Sequence, residues 1–243
     1  MEIDRGLMGR VGLRAVAGTQ RPRVLLVDGD LGRRATLTVA LGTRYRVESA
    51  AVAQAAQALA ACTRFDLAVL DAAVLQATLP RLVRLLRARS RAVRLVIVAG
   101  RRDLRGRHYA ATLGIDARLG RPTPAAALLD RIDALMGIAE SGARFDRDVG
   151  RAIDLMARDV TQLLDVNVLA DAMGVPLPSL AERFRAETGL TVHEYVTRVR
   201  VAVAEQLLRD TDLGVATLAD LLGFADAAEL ARAGAVSRLE PYA

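Results

Sequence analysis

Leu169-Ala170-Asp171-Ala172-Met173-Gly174-Val175, followed by Leu180-Ala181-Glu182-Arg183-Phe184 and closed by Thr188-Gly189, decides the architecture of the second half of this chain. The plan returns at Leu218-Ala219-Asp220-Leu221-Leu222-Gly223-Phe224, followed by Ala225-Asp226. In each stretch a short Leu-Ala helix stops at a glycine and a second helix restarts a few residues later. A glycine just past a helix end adopts the left-handed conformation at little cost. The turn then swings the second helix outward, which is the helix-turn-helix plan for entering a major groove. Two such units in tandem predict an all-α second half that binds double-stranded DNA rather than one that performs catalysis.

The surroundings fit two units on one frame. Val149, Ile153, Met156, Val160 and Leu163-Leu164 keep helical spacing ahead of the first unit. Polar Ser141 to Asp148 reads as a linker. The first unit is expected as a helix over Val166 to Met173 and a partner from Leu177 or Pro178 to Glu187. There Leu180 and Phe184 face the core, while Ser179, Glu182, Arg183 and Ala186 lie on other faces. Glu182 is also placed to form a capping box with Ser179. Thr191-Val192-His193-Glu194 matches a capping box. It opens a long helix to Arg209 that would space the units.

The first half follows a different rhythm. Val24-Leu25-Leu26-Val27 is a short apolar run ending in Asp28-Gly29-Asp30, as suits a parallel strand buried on both faces. Further strands are expected near Tyr45-Arg46-Val47-Glu48, at Leu67-Ala68-Val69-Leu70, at Leu95-Val96-Ile97-Val98 and near Ala117-Arg118-Leu119. Helices are expected over Arg33 to Leu41, Val52 to Thr63, Leu79 to Arg89, His108 to Leu113 and Pro124 to Met136. Strand-helix alternation implies a doubly wound, five-stranded parallel sheet. In such sheets functional residues gather beyond the carboxyl ends of the strands. The fold class is therefore α/β, then all-α.

Val27-Asp28, Leu70-Asp71 and Arg121-Pro122 stand at strand ends, and over residues 21–138 the chain resembles the receiver domain of bacterial response regulators. The resemblance implies a phosphoacceptor position at Asp71 and an acidic pocket at Asp28, with Asp30 as candidate second acid. It also marks departures. Gly29 stands where that family has its second acid, Ala99 where it has a hydroxyl, and Arg121 where it has Lys. Losing a carboxylate weakens the hold on a hard cation, and Arg for Lys changes shape while keeping charge. The expectation is a receiver not switched by ordinary aspartyl phosphorylation, with no cofactor and no metal. The competing reading makes Asp28 and Asp71 strand-end caps of the next helices.

Leu169-Ala170, Gly174, Leu180, Phe184, Thr188-Gly189, Tyr195, Arg200, Ala204, Leu207-Leu208, Leu218-Ala219, Gly223-Phe224 and Asp226 together carry a second resemblance. Over residues 149–242 the chain resembles the arabinose-regulator (AraC/XylS-type) DNA-binding domain. That implies one recognition helix per unit in successive major-groove segments. On this basis Ser179, Arg183, Arg185 and Arg232 are the candidate DNA-binding residues, since Arg reads guanine bidentately and Ser bonds a base or phosphate. Pro176 and Glu182 depart from that pattern. So does Gly234, which replaces an apolar core residue and, at about 1 kcal/mol for a helical glycine, is expected to fray the second recognition helix.

The domain expectation is a flexible Arg-containing tail (1–20), a receiver-like domain (21–138), a linker (139–148) and a tandem helix-turn-helix domain (149–243). With 52% apolar residues the chain can bury real cores. It has no 18-residue apolar run for a membrane and no signal-peptide pattern, so a cytoplasmic location is expected. The single Cys62 excludes an internal disulfide framework. His108 and His193 have no metal-ligand spacing and are expected on helix surfaces. No His/Cys/acid cluster or phosphate-binding Gly loop suggests an enzyme.

Charge is uneven, and every basic residue is Arg. Residues 1–140 hold 23 Arg against 12 acids, a net of +11, whereas residues 141–243 hold 11 against 16, a net of −5. Affinity for DNA rests largely on neutralising phosphates, so the acidic half is expected to need help from a second subunit in a homodimer or from the Arg-rich half. Arg81, Arg84 and Arg87, with Arg101, Arg102, Arg105 and Arg107, offer a surface for an acidic partner. The competing class is a protein-interaction adaptor built from a degenerate receiver and a degenerate helix-turn-helix domain.

Overall fold

Side chains of β1 (Arg23–Val27) alternate between two apolar layers, and that alternation organises the α/β half. Val24 and Leu26 enter one core with Leu67, Val69, Val96 and Val98; Leu25 and Val27 enter the other with Ala68, Leu70, Leu95 and Ile97. A computed structural model describes residues 21–100, 103, 108–109, 112–137, 145–158, 160 and 166–239. The tail 1–20, the arginines at 101, 102, 105 and 107, and residues 110 and 111 of the helix expected near His108 lie outside the described residues.

The other strands are β2 (Arg46–Ala50), β3 (Leu67–Asp71), β4 (Arg94–Ala99) and β5 (Ala117–Gly120). All pair in parallel in the order β2-β1-β3-β4-β5. This doubly wound order places its ligand crevice beyond the carboxyl ends, between β1 and β3. One face carries α1 (Leu31–Gly42) and α5 (Ala125–Met136); the other carries α2 (Ala53–Cys62), α3 (Ala72–Leu75) and α4 (Leu79–Arg89). The short α3, followed by a 3₁₀ turn over Gln76–Thr78, departs from the expected pattern. Asp71 starts it: its Oδ1 accepts a hydrogen bond from the Ala73 amide at 2.9 Å. Cys62 ends α2, exposed.

The second half holds α6 (Arg147–Arg158), α7 (Val166–Met173), α8 (Leu177–Thr188), α9 (Val192–Asp210), α10 (Val215–Leu221) and α11 (Ala227–Leu239). Helix α6 begins inside the stretch read as linker, because Asp146 Oδ1 accepts from the amides of Asp148 and Val149. Phe145 just before it is buried.

Two expectations about the recognition helices are corrected. Glu182 forms no capping box with Ser179: α8 starts at Leu177, within the expected range, with Pro176 as its N-cap and Pro178 in its first turn. Pro fits there because a first-turn amide lacks a helical partner anyway. Helix α11 is also not interrupted at Gly234. That glycine is buried against α9, and an added Cβ would lie 3.8 Å from Val201 Cγ1, an ordinary contact.

The two halves share one apolar core. It runs from the sheet through Ala35, Val39, Leu128 and Ile132 to Val149, Ile153, Met156, Tyr195 and Val199. Helix α1 is the shared wall. Gly32 lets it approach α6 so closely that an added Cβ would lie 2.2 Å from the Ala157 carbonyl oxygen. Gly150 does the same between α6 and α5, where a Cβ would lie 2.5 Å from Ala126 Cβ.

Candidate nucleic-acid interface and the strand-end cluster

Both helix-turn-helix units close their first helix with the same backbone device. In the first, Gly174 (φ +65°) donates to the Asp171 carbonyl at 3.0 Å and Val175 to that of Ala170 at 3.2 Å. In the second, Gly223 (φ +72°) donates to Asp220 at 3.2 Å and Phe224 to Ala219 at 2.9 Å. These are the paired bonds of a glycine-closed helix end. The repeat read from the sequence is thus a repeat of hydrogen bonds.

Recognition helix α8 is fixed by Leu180 and Phe184, both fully buried; the Phe184 ring meets Tyr195 edge-on with centroids 5.0 Å apart. Gly189 (φ +72°) ends it. Thr191 and Glu194 then cap α9 reciprocally, and the Thr191 amide and hydroxyl hold the Glu194 carboxyl below its usual range. Helix α9 spans 19 residues, about 28 Å at 1.5 Å per residue, and carries the second unit at its far end. Recognition helix α11 is started by Asp226, whose Oδ1 accepts the Glu229 amide at 2.6 Å, while Glu229 Oε2 accepts the Ala225 amide at 2.6 Å. Leu230 anchors it. The sequence reading missed this cap, although Asp226 and Glu229 stand at capping-box spacing.

Of the candidate DNA contacts, Ser179 and Arg185 are exposed on α8 and Arg232 is exposed on α11. Arg183 is placed differently. Its Nη1 lies 2.5 Å from Asp148 Oδ2 and 3.7 Å from Asp146 Oδ2, and its Nε donates to the Ser179 carbonyl. The acids that hold it stand at the start of α6, outside the motif, so motif spacing gave no sign of them. Glu182, Asp220, Asp226 and Glu229 are also exposed on or beside the units.

Strand register brings Asp28, Asp71, Ala99 and Arg121 to one edge: Val27 pairs with Leu70, Asp71 with Val98, and Ala99 with Gly120. Arg121 Nη2 is ion-paired and hydrogen-bonded to Asp71 Oδ2, and reaches Asp28 Oδ1 at 3.9 Å. Arg33 Nε stands 3.1 Å from Asp28 Oδ2. Asp30 is turned away and exposed, its Oδ1 accepting the Arg33 amide at 2.7 Å as the cap of α1. Asp71 caps α3, while Asp28 caps no helix and instead holds the loop through the Asp30 amide. A cleft of about 400 Å³, lined by Ala72, Gln76, Gly100, Tyr109 and Arg121 among others, opens beside the cluster.

These residues do not fit a divalent cation. Such ions take oxygen donors, and the two buried carboxylates are both met by guanidinium groups while the third faces its own helix. Gly29 supplies no side chain. His108 and His193 are exposed. No group of His, Cys, Asp or Glu among the described residues could hold a metal ion, and no described helix is long and apolar enough to cross a membrane.

Two glycine-closed units on one long helix, attached to a doubly wound sheet, define a tandem helix-turn-helix protein with an α/β partner domain. Residues 169–234 match the model of a helix-turn-helix domain family. The chain is 31% identical over 99 residues to the HTH-type transcriptional activator RhaS of Enterobacter sp. (strain 638), covering 41% of this chain and 34% of that protein. It is 34% identical over 79 residues to a putative AraC-like transcription regulator of Streptomyces lividans, covering 32% of this chain and 26% of that one. The chain thus spans about a third or less of the length of these curated relatives. Among solved structures, the α/β half is similar to a CheY-like response regulator receiver domain protein from Methanospirillum hungatei JF-1. There the TM-score is 0.42 and the identity 24%, over 50% of this chain and 98% of that one. It is also similar to the non-phosphorylated HemR receiver domain from Leptospira biflexa, with a TM-score of 0.43 and 25% identity over 49% of this chain and 97% of that one.

Proposed function

We propose that this protein is a DNA-binding transcription regulator of the AraC type, acting in the cytoplasm, in which a receiver-like half holds the tandem units without being switched by aspartyl phosphorylation. The observation that carries the reading is the pair of identically closed turns joined by α9, within the stretch that matches the helix-turn-helix family. In this reading α8 and α11 enter successive major-groove segments as a homodimer binds. Ser179, Arg185 and Arg232 face the DNA, while Arg183 reaches it only by leaving Asp148. The boundaries proposed for the units are 21–138 and 149–243, joined through 139–148.

Binding of the full chain to genomic fragments at low salt tests this. Arg185→Ala is expected to weaken a bound fragment by about 1–3 kcal/mol, and Arg183→Ala by less. Equal affinity for wild type and the Arg185 variant removes the assignment. Phosphorylation is tested by intact mass after incubation with a small-molecule phosphoryl donor and Mg²⁺. No adduct is expected, because Arg121 occupies Asp71; an adduct lost in Asp71→Asn overturns that part.

A second reading, a protein-interaction adaptor, is favoured by the exposed acids Glu182, Asp220, Asp226 and Glu229 on and around both units. In it these acids meet a basic partner, such as the α4 face with the exposed Arg81 and Arg84 on a second copy. Its signature is no retardation of any fragment at low salt.

A further inference from the structure

Arg34 is a buried cation with no carboxylate bonded to it among the described residues. It sits in α1 at 3% exposure. Its Nη1 donates to the Asp28 carbonyl oxygen at 2.6 Å and its Nη2 to Gln206 Oε1 at 2.8 Å. Gln206 is itself buried, in the middle of the C-terminal half of α9, and its Nε2 donates to Ser49 Oγ of β2 at 3.5 Å. Burial pushes the Arg34 guanidinium down from its ordinary value, against the pull of Asp28, Asp210 and Asp30 and with the push of Arg209. Burying a charge against neutral acceptors is a poor way to gain stability, since desolvation exceeds what two hydrogen bonds return. What the guanidinium adds is direction: it bonds one specific carbonyl and one specific amide.

That carbonyl belongs to the residue on which the strand-end cluster converges. The Asp28 carboxylate meets Arg33 and Arg121 and accepts the Asp30 amide. Arg121 in turn holds Asp71. A continuous polar path therefore runs from Asp71 through Arg121, Asp28 and Arg34 to Gln206.

We propose that Arg34 is a positioning residue that couples the strand-end ion pairs to α9, so that the state of the Arg121 pairs sets how firmly the helix spacing the two reading units is held. The consequence for DNA rests on the function proposed above; the mechanical coupling does not.

The test is a coupling measurement on the full chain by amide hydrogen exchange, which reports local opening. In the native background Arg121→Ala is expected to speed exchange of the amides over Val199 to Gln206 about fivefold. In Arg34→Met/Gln206→Leu, where both polar partners become apolar and the fold is expected to survive, the same Arg121 substitution is expected to change it less than about twofold. A purely structural role for Arg34 predicts the same Arg121 effect in both backgrounds, and that result, or no Arg121 effect in either, overturns the proposal. If the double variant does not fold, Gln206→Met cuts the bond to α9 alone and the comparison is repeated on it. DNA affinity follows the same pattern if the protein is a regulator; wild type that binds no fragment defeats the functional reading while exchange still decides the coupling.

Discussion

The two helix-turn-helix units share a turn but not a setting. The first is braced from outside itself: Arg183 is held at the start of α6, Arg44 of the α/β half donates to the Glu187 carbonyl at the end of α8, and Phe184 packs edge-on against Tyr195. Tyr195 in turn donates from its hydroxyl to the Thr36 carbonyl of α1 at 2.6 Å. The second unit leans on α9 and on itself, with Leu230 and Gly234 against that helix and the Arg200 guanidinium on the Gly223 carbonyl at 3.3 Å. Leu213, Val215 and Leu221 around it stay exposed. One motif can therefore be rigid or loosely tethered according to what its outer surface meets.

The largest expected effect comes from cutting the better-braced unit at its centre. Phe184→Ala removes a fully buried ring and should cost about 3–5 kcal/mol in urea unfolding, felt across the shared core. Leu230→Ala should cost about 2–3 kcal/mol, with faster amide exchange confined to α10 and α11. If the loss spreads as far as it does for Phe184, the contrast between the units is wrong.

A glycine-to-alanine pair sharpens the comparison because its signs are opposite. Gly32→Ala drives a methyl group into the Ala157 carbonyl and should destabilise by about 1–3 kcal/mol through overpacking. Gly234→Ala places the methyl in ordinary contact with Val201 and relieves a helical glycine, so a gain of about 1 kcal/mol is expected. Thermal unfolding of the two variants checks both.

The smallest effect concerns pH and the brace itself. Burial raises the Asp133 carboxyl above its ordinary value, despite the Arg44 ion pair and the hydrogen bond from the Tyr45 hydroxyl at 2.7 Å. A raised folded-state value means the native state favours the protonated form. Its contribution is fully present below the unfolded value and is lost as pH rises through the folded one. Between about pH 4 and about pH 7, wild type should lose stability relative to Asp133→Asn. The unfolding free energies of the two proteins, compared at both ends of that range, decide it.

Much of this was legible in the chain. The alternation in Val24–Val27 and the Leu-Ala-to-glycine repeats are local signals, and strands, turns and the capping box at Thr191 follow from them. Asp28, Asp71 and Arg121 were legible as strand-end residues because a parallel sheet aligns its carboxyl edge. The pairing of Arg183 with Asp148, the turn of Asp30 to its own helix and the role of Arg34 were not. Each depends on a residue far away in sequence or on a choice between two equally good local bonds. Gly234 was misread for a related reason: propensity taxes a helical glycine, but here the neighbouring helix lies close enough to cover it.

By itself, then, the sequence determined the two kinds of architecture, the repeat of the reading motif and the position of the acidic strand ends, since periodicity and turn chemistry are local. Only the tertiary structure decided that α1 is a common wall, that the strand-end carboxylates are met by guanidinium groups and that the two units differ in bracing. Those outcomes depend on which surfaces meet, and burial decides that only when the whole chain has packed.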